Sequence, residues 1–389
     1  MNRFLLPALH LFNDGYLAAM PLFLPFMAKD LGISLSMVGL LGSLLSFSGI
    51  ILALPAGMVA ARFGATRVLS YAVLLYGLGF LVLGLSSGLL VVILGFLLGS
   101  FAFGVFHPVA FSAVARDACE VRDGGLGRRM GTFAATGDIG RIGFAATITV
   151  LIAWSSWRMT AFLYALIAAF VFCICIVSSR KDRGCLVVTG RRKVLDFSLF
   201  RNKRFLMANF ASVLDAFANS SLFIFLPFLL TFRGIDAVLM GSFTGVFFVG
   251  NLLGKVVIGL LADRVGRNRL FIIGELCVAV FLVLLSQVQN LFLIMGIAFL
   301  LGFLTKGAVP ITNTMIAEAV AGTEGYEGVY SVNSFTMSIA STVAPLVFGV
   351  IAGTFGIQTV FIACAVMAAS ATVPAVVLSR LVRKENGRP

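Results

Sequence analysis

The chain has 389 residues, of which 60% are hydrophobic and only 12% are charged, and its formal net charge is +13. Soluble domains carry about 25% charged residues, and a soluble fold needs a solvated exterior that this composition does not supply. The composition therefore excludes an ordinary soluble protein and indicates an integral membrane protein.

Twelve apolar segments follow one another along the chain, each near the roughly 20 residues that a membrane-spanning helix needs. The predicted spans are 4–28, 36–60, 67–86, 89–115, 130–153, 158–178, 205–232, 238–261, 270–287, 291–316, 328–353 and 358–379. His10, Asn13 and Asp14 interrupt the first segment, so we interpret it as a retained span and not as a signal peptide. We predict an all-α protein of twelve transmembrane helices whose short connections make neighbouring helices antiparallel.

Lys and Arg are distributed unevenly between the two sides of these spans. With a cytoplasmic N-terminus, 23 of the 29 fall on the inside, three on the outside (Lys29, Arg158, Arg233) and three within helices (Arg141, Lys255, Lys306). Basic residues accumulate on the cytoplasmic side of membrane proteins. We predict a multi-pass protein of the cell (inner) membrane with both termini cytoplasmic, and the basic excess, being a topology signal, predicts no nucleic-acid partner.

The second half of the chain repeats the first at a distance of 202 positions. Phe23-Leu24-Pro25-Phe26 matches Phe225-Leu226-Pro227-Phe228, and the ordered matches include Gly32/Gly234, Gly57/Gly259, Arg62/Arg264, Gly64/Gly266 and Pro108/Pro310. We predict two six-helix bundles, residues 1–178 and 205–389, related by pseudo-two-fold symmetry around a central cavity. A cytoplasmic linker, residues 179–204, is expected to join them. Parallel repeats of this kind occur in secondary transporters.

A glycine-rich basic run lies on the predicted cytoplasmic turn of the second half, where residues 259–269 read GLLADRVGRNR. Glycine permits a tight turn and the close approach of helices, and Asp263 can cap a helix N-terminus or pair with a neighbouring arginine. The run resembles the signature loop of the major facilitator superfamily. Together with the repeat and the twelve spans, the resemblance to this superfamily covers the whole chain. It implies the major facilitator fold, transport by alternating access, and a cytoplasmic gate. The candidate gate residues are Gly259, Asp263, Arg264, Gly266 and Arg267.

Two features limit the resemblance and one refines it. Ala61 stands where the second half has Asp263, which puts the usual first-half latch in doubt, and Gly95 stands where many proton-coupled drug antiporters carry an arginine. Three segments of the first half (10–14, 104–108 and 137–140) are similar to exporters of the fosmidomycin-resistance type. That similarity implies a proton-driven exporter of a drug or metabolite.

Ionisable side chains in the membrane interior cost at least about 2.5 kcal/mol each and are functional candidates by default. Asp14 lies about ten residues into the first span, roughly 15 Å deep, and His10 lies one turn earlier on the same face. Because burial makes the charged form of a carboxyl group costly, Asp14 is a candidate proton carrier, with a structural hydrogen bond between helices as the alternative.

Two further groups of the first half are ambiguous. Asp138 and Arg141 lie three residues apart on one helix face and either neutralise each other or let Arg141 exchange partners with Asp14 during transport. His107 precedes the helix-kinking Pro108 and is able to titrate.

Asp215 lies at a similar depth in the second half, aligned by the repeat with Asn13, and Asn219 follows it one turn later. Asp215 is a second candidate for proton coupling. Lys306, aligned with Gly104, is either a substrate contact for an anion or a salt-bridge partner of Asp215. Lys255 and Glu275 are interpreted mainly as gate or snorkelling groups near the cytoplasmic ends.

These observations predict a secondary active transporter, most simply a proton-coupled exporter of a small organic compound. One alternative keeps the fold and reverses the direction, with proton-coupled uptake of an organic anion or siderophore. A second alternative is a receptor or scaffold without transport. The sequence shows no catalytic constellation, no phosphate-binding loop and no metal-binding spacing of its cysteines. We therefore expect no enzyme, cofactor or metal site, with protons, a small molecule and the lipid bilayer as partners of a monomer.

Overall fold

The computed structural model describes residues 5–121, 126–178, 197–320 and 326–385, and these are helical apart from short connections. The described ranges contain thirteen α-helices and one short 3-10 helix, Phe197–Arg201. In chain order the α-helices are α1 (Leu5–Leu31), α2 (Leu35–Phe63), α3 (Ala65–Gly84), α4 (Leu89–Val121), α5 (Leu126–Trp154), α6 (Trp157–Ser178), α7 (Lys203–Ser220), α8 (Leu222–Phe232), α9 (Ala237–Val265), α10 (Arg267–Gln287), α11 (Leu291–Ala319), α12 (Tyr326–Phe355) and α13 (Ile357–Glu385). Residues 179–196 of the predicted linker lie outside the described ranges.

The helix boundaries recur at the same 202-residue spacing as the internal repeat of the sequence. α2 and α9 begin at residues 35 and 237 and end at residues 63 and 265, which is 202 positions apart at both ends. α3 and α10 begin 202 positions apart as well, and so do α4 and α11. The tight turns before α3 and α10 use Gly64 and Gly266, with φ of +89° and +91°, a conformation that favours glycine. Both halves therefore use the same local structure.

The predicted span 205–232 is found as one membrane-crossing stretch, Lys203–Phe232, but within it the structure divides the helix into α7 and α8 at Ser221. Short polar side chains compete with the helix for backbone hydrogen bonds, and three of them occur consecutively here, Asn219, Ser220 and Ser221. The Ser220 hydroxyl donates to the Phe217 carbonyl oxygen at 3.5 Å. The equivalent helix of the first half, α1, is unbroken.

Eleven helical stretches in the described ranges are long and apolar enough to cross a membrane, and α7 with α8 forms one of them. α1, at 27 residues, is long enough but contains His10, Asn13 and Asp14. Since α1 is the repeat equivalent of α7 and α8, it completes a set of twelve spans. The expectation of an all-α membrane fold is confirmed.

The contacts divide the chain into two compact units, and the first comprises residues 1–189 and 234–245. In it α1 packs against α5, α2 against α4, and α3 against both α4 and α6. Aromatic rings fill the core between α1, α3 and α6: Tyr16 stacks on Tyr76 with centroids 5.7 Å apart and donates a hydrogen bond to the Tyr164 carbonyl oxygen at 2.8 Å.

The second unit comprises residues 190–233 and 246–389. In it α7 packs against α12 and α13, and α10 against α11 and α13. α9 and α11 approach closely at Gly254 and Gly302, where an added Cβ would overlap the carbonyl oxygen of the facing helix. Gly259 was expected to allow such an approach and does not, because a Cβ there would lie an ordinary 3.9 Å from Pro310 Cγ.

Candidate functional site

Asp14 lies at the centre of a buried polar cluster in the first unit, built by α1, α4 and α5. Its Oδ2 is 2.7 Å from Arg141 Nη2, and its Oδ1 is 3.3 Å from His107 Nε2 and 3.5 Å from His10 Nε2. Asn13 donates its Nδ2 to the same Oδ1 at 2.9 Å. Arg141 also reaches Asp138, with Nη1 to Oδ1 at 3.7 Å. We call His10, Asn13, Asp14, His107, Asp138 and Arg141 the Asp14 cluster.

The orientation of His10 is set by its other ring nitrogen. His10 Nδ1 is 2.7 Å from the Phe133 carbonyl oxygen, and because a carbonyl only accepts, Nδ1 donates and carries the hydrogen. The His10 ring also stacks on the Phe133 ring at 4.0 Å between centroids. In the neutral ring, Nε2 then presents a lone pair towards Asp14 Oδ1. Two acceptors facing each other favour the uptake of a proton between them.

Gly137 of α5 lies directly against the Asp14 cluster, where its lack of a side chain leaves room for Asp14 and His10. A Cβ at this position would lie 2.6 Å from Asp14 Oδ2 and 2.7 Å from His10 Cε1, closer than real Cβ atoms come to such atoms. Gly140, one turn later, lies against the backbone of Leu11 in α1. Small residues allow transmembrane helices to approach in this way, so these glycines bring α1 and α5 together at the cluster.

The same cluster is where a cation could bind. Among the described residues, one group of three candidate metal ligands occurs, His10, Asp14 and His107, whose ligand atoms lie within 4.8 Å of one another. The sequence had predicted no metal site. The Arg141 guanidinium 2.7 Å from Asp14 already brings one positive charge to this group, which favours a singly charged ion such as a proton over a divalent metal ion.

A second polar cluster lies in the second unit. Asp215 of α7 interacts electrostatically with Glu275 of α10 and with Lys306 of α11. Asn219 donates its Nδ2 to Asp215 Oδ1 at 2.5 Å. Asp215 and Glu275 are buried, with exposed fractions of 4% and 1%. We call Asp215, Asn219, Glu275 and Lys306 the Asp215 cluster.

The interpretation of Glu275 as a snorkelling group is wrong, because this side chain is buried, whereas its interpretation as a gate group stays a prediction. The predicted span began at residue 270, which placed Glu275 near its end. The structure begins α10 at Arg267, so that Glu275 is the ninth of 21 residues. The signal that could have found it was a single acid inside an otherwise apolar span. Sequence reasoning also missed the contact of Phe133 with His10, because it depends on how α5 packs against α1.

The predicted gate residues lie around the turn between α9 and α10. Arg267 pairs with Glu318 at the end of α11, and Gly266 adopts the left-handed conformation of the turn. Arg264 is exposed in the last turn of α9. The side chain of Asp263 lies outside the described part of the structure. Among the described side chains, Arg267 therefore supplies an ion pair at the predicted gate.

Comparisons with known proteins agree with this architecture. The sequence model of the Major Facilitator Superfamily matches residues 8–241 and 208–389. The Bacillus subtilis (strain 168) protein YoaB is 25% identical over 355 residues, which span 85% of this chain and 83% of YoaB. Multidrug resistance protein MdtG of Proteus mirabilis (strain HI4320) is 30% identical over 142 residues, 35% of each chain.

Solved structures share the fold at low sequence identity. The crystal structure of nucleoside transporter NupG superposes with a TM-score of 0.77 at 15% identity, covering 98% of this chain and 100% of that one. At this identity the likeness concerns the fold alone.

Proposed function

The chain belongs to the Major Facilitator Superfamily and is a multi-pass membrane transporter, and from this premise we propose that it is a proton-coupled exporter of a small organic compound working by alternating access. The proton would bind in the Asp14 cluster. Each of the two bundles would then contribute one half of the transport pathway, with the gate residues at the cytoplasmic turn.

One observation carries the proposal, the contact of the buried Asp14 carboxylate with two imidazole nitrogens and one guanidinium. A net charge in a low-dielectric interior is costly unless it is compensated. Asp14 Oδ1 lies 3.3 Å and 3.5 Å from two imidazole nitrogens, and imidazole takes up a proton near physiological pH. Arg141 cannot lose its proton, so it can only exchange partners. A proton bound beside Asp14 would weaken the ion pair between Asp14 and Arg141. Proton uptake would in this way be linked to a change in the contacts between α1 and α5.

Export is supported by the similarity to fosmidomycin-resistance exporters and by the partial match to a multidrug resistance protein. The alternative, uptake of an organic anion or siderophore, needs a cation that is available to the anion. Arg141 is already engaged by Asp14 and Asp138, and Lys306 interacts with Asp215. The distribution of Lys and Arg supports the cell (inner) membrane and cytoplasmic termini.

The test is transport of radiolabelled fosmidomycin into proteoliposomes with an acid interior. We expect the wild type to respond to the pH gradient, and Asp14→Asn to lose that response while it still exchanges substrate without a gradient. Asp30→Asn is the matched control, since Asp30 lies in the same helix in an exposed pair with Arg158. An undiminished gradient response of Asp14→Asn would remove Asp14 from the mechanism, and counterflow of organic anions without fosmidomycin transport would favour uptake.

A further inference from the structure

An open cavity of about 400 Å³ lies at the turn between α9 and α10 in the second unit. Arg267, Asn268 and Arg269 at the start of α10 line one side of it, and Ser379 and Val382 of α13 line another. Binding pockets in proteins commonly measure about 300–1,000 Å³. The cavity is therefore large enough for a small ligand or for one group of a larger ligand.

The charges that line this cavity favour an anion. Arg267 and Arg269 bring two positive charges, whereas Glu318 brings one negative charge and pairs with Arg267. Arg269 is exposed and has no ion-pair partner among the described residues. Guanidinium groups match the geometry of phosphate oxygens and hold them through paired, charge-assisted hydrogen bonds. The cavity therefore suits a phosphate group, with Arg269 as the cation that is available to it.

An apolar row continues from the cavity along α10. Ile273, Leu276 and Val280 follow Arg269 at a helical spacing that places all four side chains on one face. The three apolar side chains have exposed fractions of 52%, 47% and 58%. They lie in a helix that is long and apolar enough to cross a membrane, where an exposed side chain contacts the hydrocarbon chains of lipids. A ligand with a phosphate group and an apolar chain therefore fits this surface better than a phosphate ion does.

The pair of arginines is not needed to form the turn. At a distance of 202 positions, Arg267 and Arg269 correspond to Ala65 and Arg67 of the first half. The first unit builds the same glycine turn before α3 with one of the two arginines. The second arginine is thus an addition of the second half, and it is one of the residues that line the cavity.

We propose that this cavity binds the phosphate headgroup of an anionic membrane lipid, held by Arg269 and Arg267, with an acyl chain along Ile273 and Leu276. Basic pockets between membrane-spanning helices on the cytoplasmic side recognise such headgroups. Because Arg267 also pairs with Glu318, the bound lipid lies beside the predicted gate and competes with Glu318 for one guanidinium. The site shares no residue with the Asp14 cluster and depends neither on proton coupling nor on the direction of transport.

Thermal unfolding of the purified protein in detergent tests the site, because a ligand that binds the folded state raises the unfolding temperature. The probes are dioleoyl phosphatidylglycerol, which is anionic, dioleoyl phosphatidylcholine, which is zwitterionic, and inorganic phosphate. We expect phosphatidylglycerol to raise the unfolding temperature of the wild type more than either of the other probes does. In Arg269→Gln the half-saturating concentration of phosphatidylglycerol should rise roughly tenfold, since a charge-assisted hydrogen bond is lost.

Two further variants make the test specific. Arg67→Gln is the matched control, because it removes the equivalent arginine of the first unit, and its response to phosphatidylglycerol should equal that of the wild type. Ser379→Leu fills the cavity without a change of charge and should weaken the response. The Ser379 hydroxyl donates to the Ala375 carbonyl oxygen of its own helix at 2.9 Å, so its loss leaves no other helix unpaired. If Arg269→Gln fails to fold, Ser379→Leu decides the result.

Three results would overturn the proposal. The first is an unchanged response to phosphatidylglycerol in the folded Arg269→Gln or Ser379→Leu protein, or an equal loss of response in Arg67→Gln. The second is equal stabilisation by phosphatidylglycerol and phosphatidylcholine, since the charge of the headgroup would then have no effect. The third is stabilisation by inorganic phosphate that Arg269→Gln abolishes, which would assign the cavity to a soluble anion. None of these results changes the outcome of the transport test of the Asp14 cluster.

Discussion

Arg141 bridges two carboxylates of the first unit, with Nη2 2.7 Å from Asp14 Oδ2 and Nη1 3.7 Å from Asp138 Oδ1. The sequence left open whether Arg141 pairs with its helix neighbour Asp138 or with Asp14 of another helix. It contacts both and lies closer to Asp14. α5 is thereby tied to α1 through one guanidinium group.

The bridge predicts that Arg141→Lys is not a conservative change. An ammonium group is a compact point charge and does not reproduce the fork geometry that holds two carboxylates. Hydrogen bonds to charged groups contribute about 1.5–3 kcal/mol, so we expect the initial rate in a transport assay to fall roughly tenfold or more. Arg158→Lys, in an exposed pair with Asp30, serves as control and should stay near the wild-type rate. Equal rates for both variants would contradict a bridging role.

Gly137→Ala is expected to reduce transport strongly. The new methyl group would lie within 2.7 Å of both Asp14 and His10, so that α1 and α5 must separate or the cluster must rearrange. Overpacking of this kind costs about 1–3 kcal/mol. Gly143→Ala is the matched control in the same helix, since a Cβ at Gly143 has open space. The measurement is the transport rate at equal amounts of folded protein, and unchanged transport by Gly137→Ala would argue against the tight contact.

His10→Phe should remove a titratable ring from the Asp14 cluster while it keeps an aromatic ring packed at the same position. A phenyl ring can keep the stack on Phe133, and the Phe133 carbonyl retains the hydroxyl of Thr136 at 2.7 Å. We therefore expect near-normal thermal stability. Because the proposed proton site loses one of its imidazoles, the pH dependence of transport should flatten. A pH profile identical to that of the wild type would place the proton elsewhere.

Gly302→Ala is expected to destabilise the second unit. Its Cβ would overlap the Phe247 carbonyl oxygen of α9, and backbone cannot move aside as a flexible side chain can. We expect a loss of about 1–3 kcal/mol, measured by thermal unfolding in detergent. Gly296 lies in the same helix, and a Cβ there would face open space. Gly296→Ala should be neutral or slightly stabilising, because alanine favours the helix. A larger loss at Gly296 than at Gly302 would contradict the α9–α11 contact.

The sequence by itself determined the elements of this protein. Long apolar segments, the 202-residue repeat and the glycine turns at Gly64 and Gly266 are local properties, because hydropathy and turn chemistry act over a few consecutive residues. They predicted the spans and the family. The division of the helix at Ser221 was not predicted, because hydropathy along a segment does not show where its backbone hydrogen bonds are interrupted.

The tertiary structure alone decided which polar side chains meet. His10 of α1 and His107 of α4 both contact Asp14. In the second unit, Glu275 of α10 interacts with Asp215 of α7. The depth of a residue in the membrane can be counted along one helix. Which residues of two helices lie opposite each other depends on how their side chains pack. The sequence could therefore nominate Asp14 and Asp215 as candidates. Only the packed helices showed that His107 of a different helix also reaches Asp14, because that contact depends on how α1 and α4 face each other.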